Sequence, residues 1–347
     1  MEEAVELRGW VEQFLPAHAA PESPLALQPI AGDAGFRKYF RVNSRPPLIA
    51  VFAPPDRENT PAFVAKDLAL CAGGVVVPRI YAVNYDQGFM LQEDLGDQLL
   101  LTLLTADNMP SLYDLAEAAL VRLQQVAPHG DLFEPYDRKL LLDEMALFTE
   151  WFVEKMLAQV PTAEERELID DTFAILAASA LEQPQVVVHR DYHSRNLILT
   201  ADGEIGTVDF QDGVIGPFTY DLVSLLKDCY IRRPASIVKE RALAFLTARA
   251  DELGVRNARA EQLLQWFDFM GLQRHIKVLG IFARLWLRDG KARYLEDLPL
   301  VLRYTLEVSA QYPQLAPFNE WFAKRLLPLL PDQPWYRDWQ LAGEQTP

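Results

Sequence analysis

The chain has 347 residues, half of them apolar, with 33 basic against 49 acidic residues and a formal charge of −16. That length is long for one ordinary core and comfortable for two lobes around a cleft, and the composition excludes a disordered protein. The negative balance excludes an electrostatic binder of nucleic acid or of an anionic membrane surface, and no uncharged apolar run approaches the ~20 residues of a membrane helix. The acidic start, MEEAVELRGW, lacks the basic-then-apolar pattern of a signal peptide. Cys71 and Cys229 stand in apolar helical surroundings and read as buried free thiols, with no metal motif and no disulfide framework. A cytoplasmic monomer is expected.

Residues 3–15 predict an amphipathic helix, with Leu7, Trp10, Val11 and Phe14 along one face, ended by Pro16. Leu25 to Ile30 reads as a strand. Gly32 and Gly35 then lead into a basic-aromatic strand, Arg37-Lys38-Tyr39-Phe40-Arg41-Val42, and the turn fits either a hairpin or a lid over nucleotide phosphates. Leu48 to Phe52 is a third strand, followed directly by Ala53-Pro54-Pro55. Thr60 to Ala72 is a helix closed by Gly73-Gly74. A hairpin follows, residues 78–84 and 89–93, and it runs into Gln92-Glu93-Asp94. Beyond Leu95 the composition shifts to long helices, 111–125, 137–157 with Glu144, and one opened by the Thr162/Glu165 capping box.

The most informative stretch comes next, from Val186 to Asp212. Three valines deliver His189-Arg190-Asp191-Tyr192-His193-Ser194-Arg195-Asn196. Leu197 to Leu199 and Ile205 to Val208 then form a hairpin turned by Asp202-Gly203 and ending on Asp209. The loop fits H-R-D-x-x-x-x-N. Asp191 can take the proton of an attacking hydroxyl, while Asn196 and Asp209 offer hard oxygen ligands for Mg²⁺. The hairpin returns Asp209 near Asn196. Arg190 and Arg195 add charge near the phosphates of ATP, with a structural role open to Arg190. Further helices are predicted over 235–253, 259–288, 294–310 and 318–329. Within the second of these, Gln273-Arg274-His275-Ile276-Lys277 interrupts an apolar helix, which fits either a solvated stripe or a substrate contact.

The loop, Val208-Asp209-Phe210-Gln211-Asp212 and Gly216-Pro217-Phe218-Thr219-Tyr220-Asp221-Leu222 together resemble the aminoglycoside phosphotransferase and choline kinase superfamily. Gly32-Asp33-Ala34-Gly35-Phe36-Arg37-Lys38-Tyr39 and Gln273-Arg274-His275-Ile276-Lys277 narrow the resemblance to the anomeric N-acetylmuramate/N-acetylglucosamine kinases of cell-wall recycling. It covers residues 30–310. The resemblance implies an α+β, protein-kinase-like bilobal fold. A nucleotide-binding lobe would span residues 1–95 and a mostly helical catalytic lobe 96–347. It also implies transfer of the γ-phosphate of ATP, with Mg²⁺, to the anomeric hydroxyl of an amino sugar. The backbone of Gln92, Glu93 and Asp94 becomes the adenine hinge, and Asp221 a support beneath the catalytic loop.

Two departures stand out. Gln211 follows Asp209-Phe210 where a protein kinase has Gly, with no Ala-Pro-Glu segment after it. The third strand lacks the phosphate-binding Lys of protein kinases, a trait the recycling kinases share. Strand alternation offers Lys38 as the substitute, provided that Phe40 and Val42 face the adenine, with Arg37 second. Glu144, Arg195, Asp212, Arg274 and Lys277 are the substrate candidates, the last two basic residues matching a lactyl carboxylate. A kinase of an aminoglycoside or choline-like amino-alcohol, and a non-catalytic nucleotide-binding scaffold, are the competing readings.

Overall fold

The computed structural model describes residues 2–21, 24–30 and 36–344. By internal contacts the chain divides into two compact units. The first comprises Met1–Leu103, Ser111–Phe133 and Arg195–Asp212, and the second Leu104–Pro110, Glu134–Ser194 and Gly213–Pro347. Residues 111–133 and 195–212, which follow Leu95 in sequence, thus count with the first unit.

The first unit is built on an antiparallel sheet of five strands. These are β1 (Leu27–Ile30), β2 (Lys38–Val42), β3 (Leu48–Phe52), β4 (Ile80–Asn84) and β5 (Phe89–Glu93), in the order β1-β2-β3-β5-β4. Alternation divides the sheet into two faces. One carries Val42, Leu48, Ala50, Phe89 and Leu91. It is sealed by Leu7, Trp10 and Val11 of α1 (Glu2–Phe14), with Phe40 and Phe52 packed at its edge. The opposite face carries Tyr39, Arg41, Ile49, Val51, Met90 and Gln92 by the same pairing. Helix α2 (Thr60–Ala72) starts at an Asn59 cap and a Pro61 in its first turn. It ends where Gly74 takes φ +80°, a conformation suited to glycine, and the Val75 N–H returns to the Leu70 carbonyl. Its Cys71 is exposed, which corrects the expectation of a buried thiol, while Cys229 is buried. Most of α3 (Met109–Gln125) belongs to this unit.

In the second unit, α4 (Arg138–Leu147) runs into a π-helical segment, Phe148–Met156, and α5 (Ala163–Leu181) follows with its capping box formed. The strand β6 (Gln185–Val188) delivers the polar loop. Two short strands of the first unit come next in the chain, β7 (Leu197–Leu199) and β8 (Ile205–Thr207). After them β9 (Val214–Pro217) pairs antiparallel with β6. Helices α6 (Tyr220–Leu226), α7 (Ala235–Glu252), α8 (Ala260–Leu287), α9 (Leu298–Ser309) and α10 (Ala316–Arg325) complete it.

The long α8 is the axis of this unit, touching α4, the π-helical segment, α5, α6, α7 and α9. It is therefore buried nearly all round, and Gln273, Arg274, His275 and Lys277 are buried with it. Close approach requires Gly280: a Cβ there would lie 2.3 Å from the Leu147 carbonyl carbon and 2.5 Å from the Phe148 nitrogen. That is where α4 widens into the π-helical turns, a change from the single helix expected over 137–157. Gly280→Ala is expected to lower unfolding stability by about 3 kcal/mol through overpacking against backbone that cannot rotate away. Denaturant unfolding reads this directly, and an unchanged midpoint would mean that the two helices separate freely.

Candidate active site

The loop after β6 is held from below by one carboxylate. Asp221, in the first turn of α6, accepts the backbone N–H of His189 at 2.7 Å and of Arg190 at 3.0 Å. Burial pushes the Asp221 carboxyl up to about 7, and the two N–H donors work against that rise. Arg190 between them has φ +76°, which is uncommon for a residue with a side chain. Farther along, Asp228 accepts the Ser194 backbone N–H at 2.9 Å and its hydroxyl at 2.5 Å. The loop is thus fixed at both ends by buried acids.

Asp191 lies between these anchors. Burial opposes its ionisation, but His193, Lys277, Arg274 and His189 surround it with positive charge and hold its carboxyl below the usual carboxylate range. It is therefore a carboxylate at neutral pH, as a proton acceptor requires.

The substrate candidates of this unit, Glu144, Arg274 and Lys277, are all buried, and Glu144 and Lys277 share one network. Glu144 of α4 is 7% exposed and receives the Arg190 guanidinium, the Tyr136 hydroxyl and, at 3.0 Å, the Lys277 ammonium. Burial raises the Glu144 carboxyl, and Lys277 and Arg190 more than reverse it. Lys277 also lies 3.3 Å from the Tyr220 hydroxyl, and Gln273 donates to Tyr136 at 3.0 Å. Arg274 meets the Cys229 sulfur at 3.1 Å. His275 stacks on Tyr304 and lies 3.1 Å from the Lys227 carbonyl oxygen. Both Glu144 oxygens are thus engaged by protein groups.

In the first unit, β7 and β8 form the expected hairpin, and the Val208 N–H donates to the Asn196 carbonyl at 3.1 Å. This brings Asn196 beside the start of Asp209. Asp209 takes φ +67°, its Oδ1 accepts the Gln211 amide at 2.6 Å, and Phe210 stacks on Phe63 of α2 at 4.8 Å. The Lys66 ammonium donates to the Gln211 carbonyl at 2.6 Å. Lys66 stands on the helix next to Asp67, and nothing in its spacing in the sequence marks it. Arg195 is half-buried and Asp212 exposed.

Lys38 requires a correction. Phe40 and Val42 share their face with the α1 core, so the premise that they face a nucleotide fails. The Lys38 ammonium, more than half exposed, pairs with Glu3 at 2.6 Å and lies over the Phe52 ring. Arg37 points the other way. It lies 4.5 Å over Phe63, pairs with Glu58 at 2.9 Å, and its side chain is only 8% exposed. Tyr39 next to it is raised chiefly by burial, opposed by Arg37 and reinforced by the Asp209 charge. Arg41 spans Asp94 and Asp97 through charged hydrogen bonds of 2.5–3.3 Å, and the Glu93 N–H donates to the Arg79 carbonyl at 2.9 Å. Gln92 is buried. Gly32 and Gly35 lie outside the described residues.

Among solved structures, an ethanolamine kinase of Plasmodium vivax superposes with a TM-score of 0.63 at 14% identity, covering 87% of each chain. The fold is therefore that of the protein-kinase-like small-molecule kinases. The chain belongs to the phosphotransferase enzyme family APH, which it matches over residues 26–261. It is 38% identical to an N-acetylmuramate/N-acetylglucosamine kinase of Neisseria meningitidis, over 91% of this chain and 94% of the relative. It is 40% identical to a protein of that name from Pseudomonas putida, over 86% of this chain and 88% of the relative. No helix among the described residues is long and apolar enough to cross a membrane.

One acid of α2 stands outside these arrangements. Asp67 is 2% exposed, and no hydrogen bond reaches its Oδ1 among the described residues. Burial alone pushes its carboxyl from 3.8 up to about 7. The folded state therefore binds this proton more tightly than the unfolded chain does. Stability present below the unfolded value is lost as pH rises from 3.8 through about 7. Asp67→Asn is expected to remove that decline and to gain about 2–4 kcal/mol at pH 8, where the charged orphan costs most. Thermal unfolding from pH 4 to 8 checks this; an Asn variant less stable at pH 8 would reveal a partner for the carboxylate.

Proposed function

We propose that this phosphotransferase transfers the γ-phosphoryl group of ATP to the anomeric hydroxyl of N-acetylmuramate and N-acetylglucosamine. The observation that carries the substrate assignment is the 38% identity, over nine-tenths of both chains, to a relative named for those two sugars. In this reading Asp191 orients the sugar hydroxyl and takes its proton as the new O–P bond forms. The bond from the γ-phosphorus to the bridging oxygen breaks, and ADP leaves. The positive shell around Asp191 keeps that acceptor ionised throughout the neutral range.

The donor set near the hairpin fits Mg²⁺, which takes oxygen ligands and commonly binds through one or two side chains plus substrate phosphates. Asn196 and Asp209 would hold it, and the ion would supply charge to the terminal phosphates.

The phosphate-side cation in this reading is Arg37 rather than Lys38. Arg37 is packed beside Phe63, whose ring stacks on the residue after Asp209, and Lys66 steadies the same segment. Arg274 and Lys277 serve by keeping Asp191 charged, and Glu144 by positioning Arg190. A lactyl carboxylate then needs no dedicated cation and can remain toward solvent. Gln92, Glu93 and Asp94 form the adenine hinge, and the enzyme works in the cytoplasm as a monomer.

Two measurements test the reading. With Mg-ATP, phosphorus NMR is expected to detect a 1-phosphate on N-acetylmuramate and N-acetylglucosamine, lost by at least about 10²-fold in Asp191→Asn. Transfer to choline or kanamycin alone would move the protein to another branch of its family, and no transfer with ATP bound would make it a scaffold. Separately, Arg37→Met is expected to lower kcat/KM for ATP by about 10²-fold, a loss of charge stabilisation of ~3 kcal/mol, whereas Lys38→Met stays within about two-fold. Equal losses in both variants would return Lys38 to the phosphates.

A further inference from the structure

The helical unit contains a cavity, walled in part by Val238, Leu264 and Phe267, that none of the groups proposed for phosphoryl transfer lines. Its volume is about 210 Å³, and its wall carries four basic residues, Lys227, Arg232, Arg233 and Lys239, against two acidic ones, Asp268 and Glu307. A two-to-one basic excess is conspicuous in a chain with a formal charge of −16.

Both acids are already shared among donors. Asp268 takes the Lys227 ammonium at 2.6 Å and the Tyr312 hydroxyl at 2.7 Å. Glu307 takes Arg232 at 2.9 and 3.0 Å, and Arg303 as well, at 2.9 Å. Arg233, at 5% exposure, places a buried guanidinium in the same wall. Helix α7 starts there too. Its first residue, Ala235, lines the cavity, no side chain caps it, and its first turn holds no acid. The partial positive charge of an 18-residue helix therefore adds to the excess.

Size narrows the ligand. At ~30 Å³ per water the cavity holds about seven waters, and it is smaller than the ~300–1,000 Å³ of drug-sized sites. We propose that this cavity is a second anion site, taking a small phosphate dianion, either inorganic phosphate or the head of a small phosphomonoester. Arg233 recognises its oxygens with planar donors beside the Arg232–Glu307 pair, and Lys239 adds charge from the exposed rim. Its location gives it meaning: Lys227 in the wall is followed directly by Asp228, whose carboxylate fixes Ser194 of the Asp191 loop.

The test is a calorimetric titration of the full chain with inorganic phosphate, and in a separate arm with N-acetylglucosamine 1-phosphate. Saturating Mg²⁺ and a non-hydrolysable ATP analogue are present, so that the nucleotide phosphates' own site is filled. The expected result is one phosphate per chain, with a Kd raised about ten-fold in Lys239→Glu and binding lost in Arg233→Gln. Lys239 is exposed, so its variant retains the fold even if Arg233→Gln does not. Binding in both arms that is sensitive to Lys239→Glu assigns a phosphomonoester, and in the first arm alone it assigns free phosphate. An absence of binding at millimolar phosphate, or affinities unchanged in Lys239→Glu, overturns the site. The inorganic phosphate arm contains no sugar and measures no turnover, so its result is independent of the sugar assignment.

Discussion

The carboxylate of Asp221 and the two backbone N–H groups it receives are the constraint on which the rest of the second unit depends. A loop that must leave β6, reverse at Arg190 and present Asp191 cannot satisfy its own amides by regular pairing. Without Asp221, the His189 and Arg190 amides would be buried and unpaired, each at a cost of about 1–3 kcal/mol. With it, the positive φ of Arg190 becomes tolerable and fixes the direction in which the guanidinium leaves the loop. That direction meets Glu144. Glu144 in turn gathers Lys277 and Tyr136, so α4, α8 and the loop are placed in register by a single buried acid. Buried ion pairs of this kind contribute little net stability, since desolvation offsets much of their attraction. Their effect is specific: the same Lys277 that balances Glu144 also keeps Asp191 ionised.

The requirement reaches into the helix packing. A helix that brings Lys277 and Arg274 to a buried loop must itself be buried, and α8 is enclosed by its neighbours along the middle of its length. Gly280 lets it approach the end of α4 closely enough for Lys277 and Glu144 to meet three residues earlier on α8. In the first unit, Asp209 carries the comparable strain. A side-chain residue in the left-handed region costs about 1–3 kcal/mol. Here the conformation is held by the β7–β8 pairing before it, the Phe210–Phe63 stack after it and the Lys66 bond to Gln211.

The parts of this architecture that were legible in the sequence are those with local causes. The Thr60–Ala72 helix is delimited by its own proline and glycines, the β7–β8 hairpin by Asp202-Gly203, and the α5 start by its capping box. The acids of the loop announce themselves by spacing. What could not be read depends on which surface covers which. Alternation in β2 separates Lys38 from Arg37, but only the packing of α1 decides which face is sealed, and it seals the Phe40–Val42 face. Lys66 carries no motif, because its partner is a backbone carbonyl far away in sequence. The widened turns from Phe148 to Met156 follow a contact with Gly280 that periodicity in either segment does not encode. Cys71 looked buried among apolar neighbours, yet it sits on the outward side of α2.

The missing third-strand lysine becomes intelligible once the two faces of the sheet are known. Ile49 and Val51, the β3 residues on the Tyr39 face, are both buried, and a lysine at either position would have to carry its charge into apolar surroundings. Desolvation there would press the ammonium toward its neutral form. An arginine entering from the end of β2 avoids that difficulty: guanidinium stays charged when buried, is weakly hydrated, and packs its plane against a ring. Arg37 has that environment, with Phe63 beneath it and Glu58 at its edge. Lys66 brings positive charge from a neighbouring helix to the Asp209 segment, and β3 is wholly apolar at the centre of the sheet.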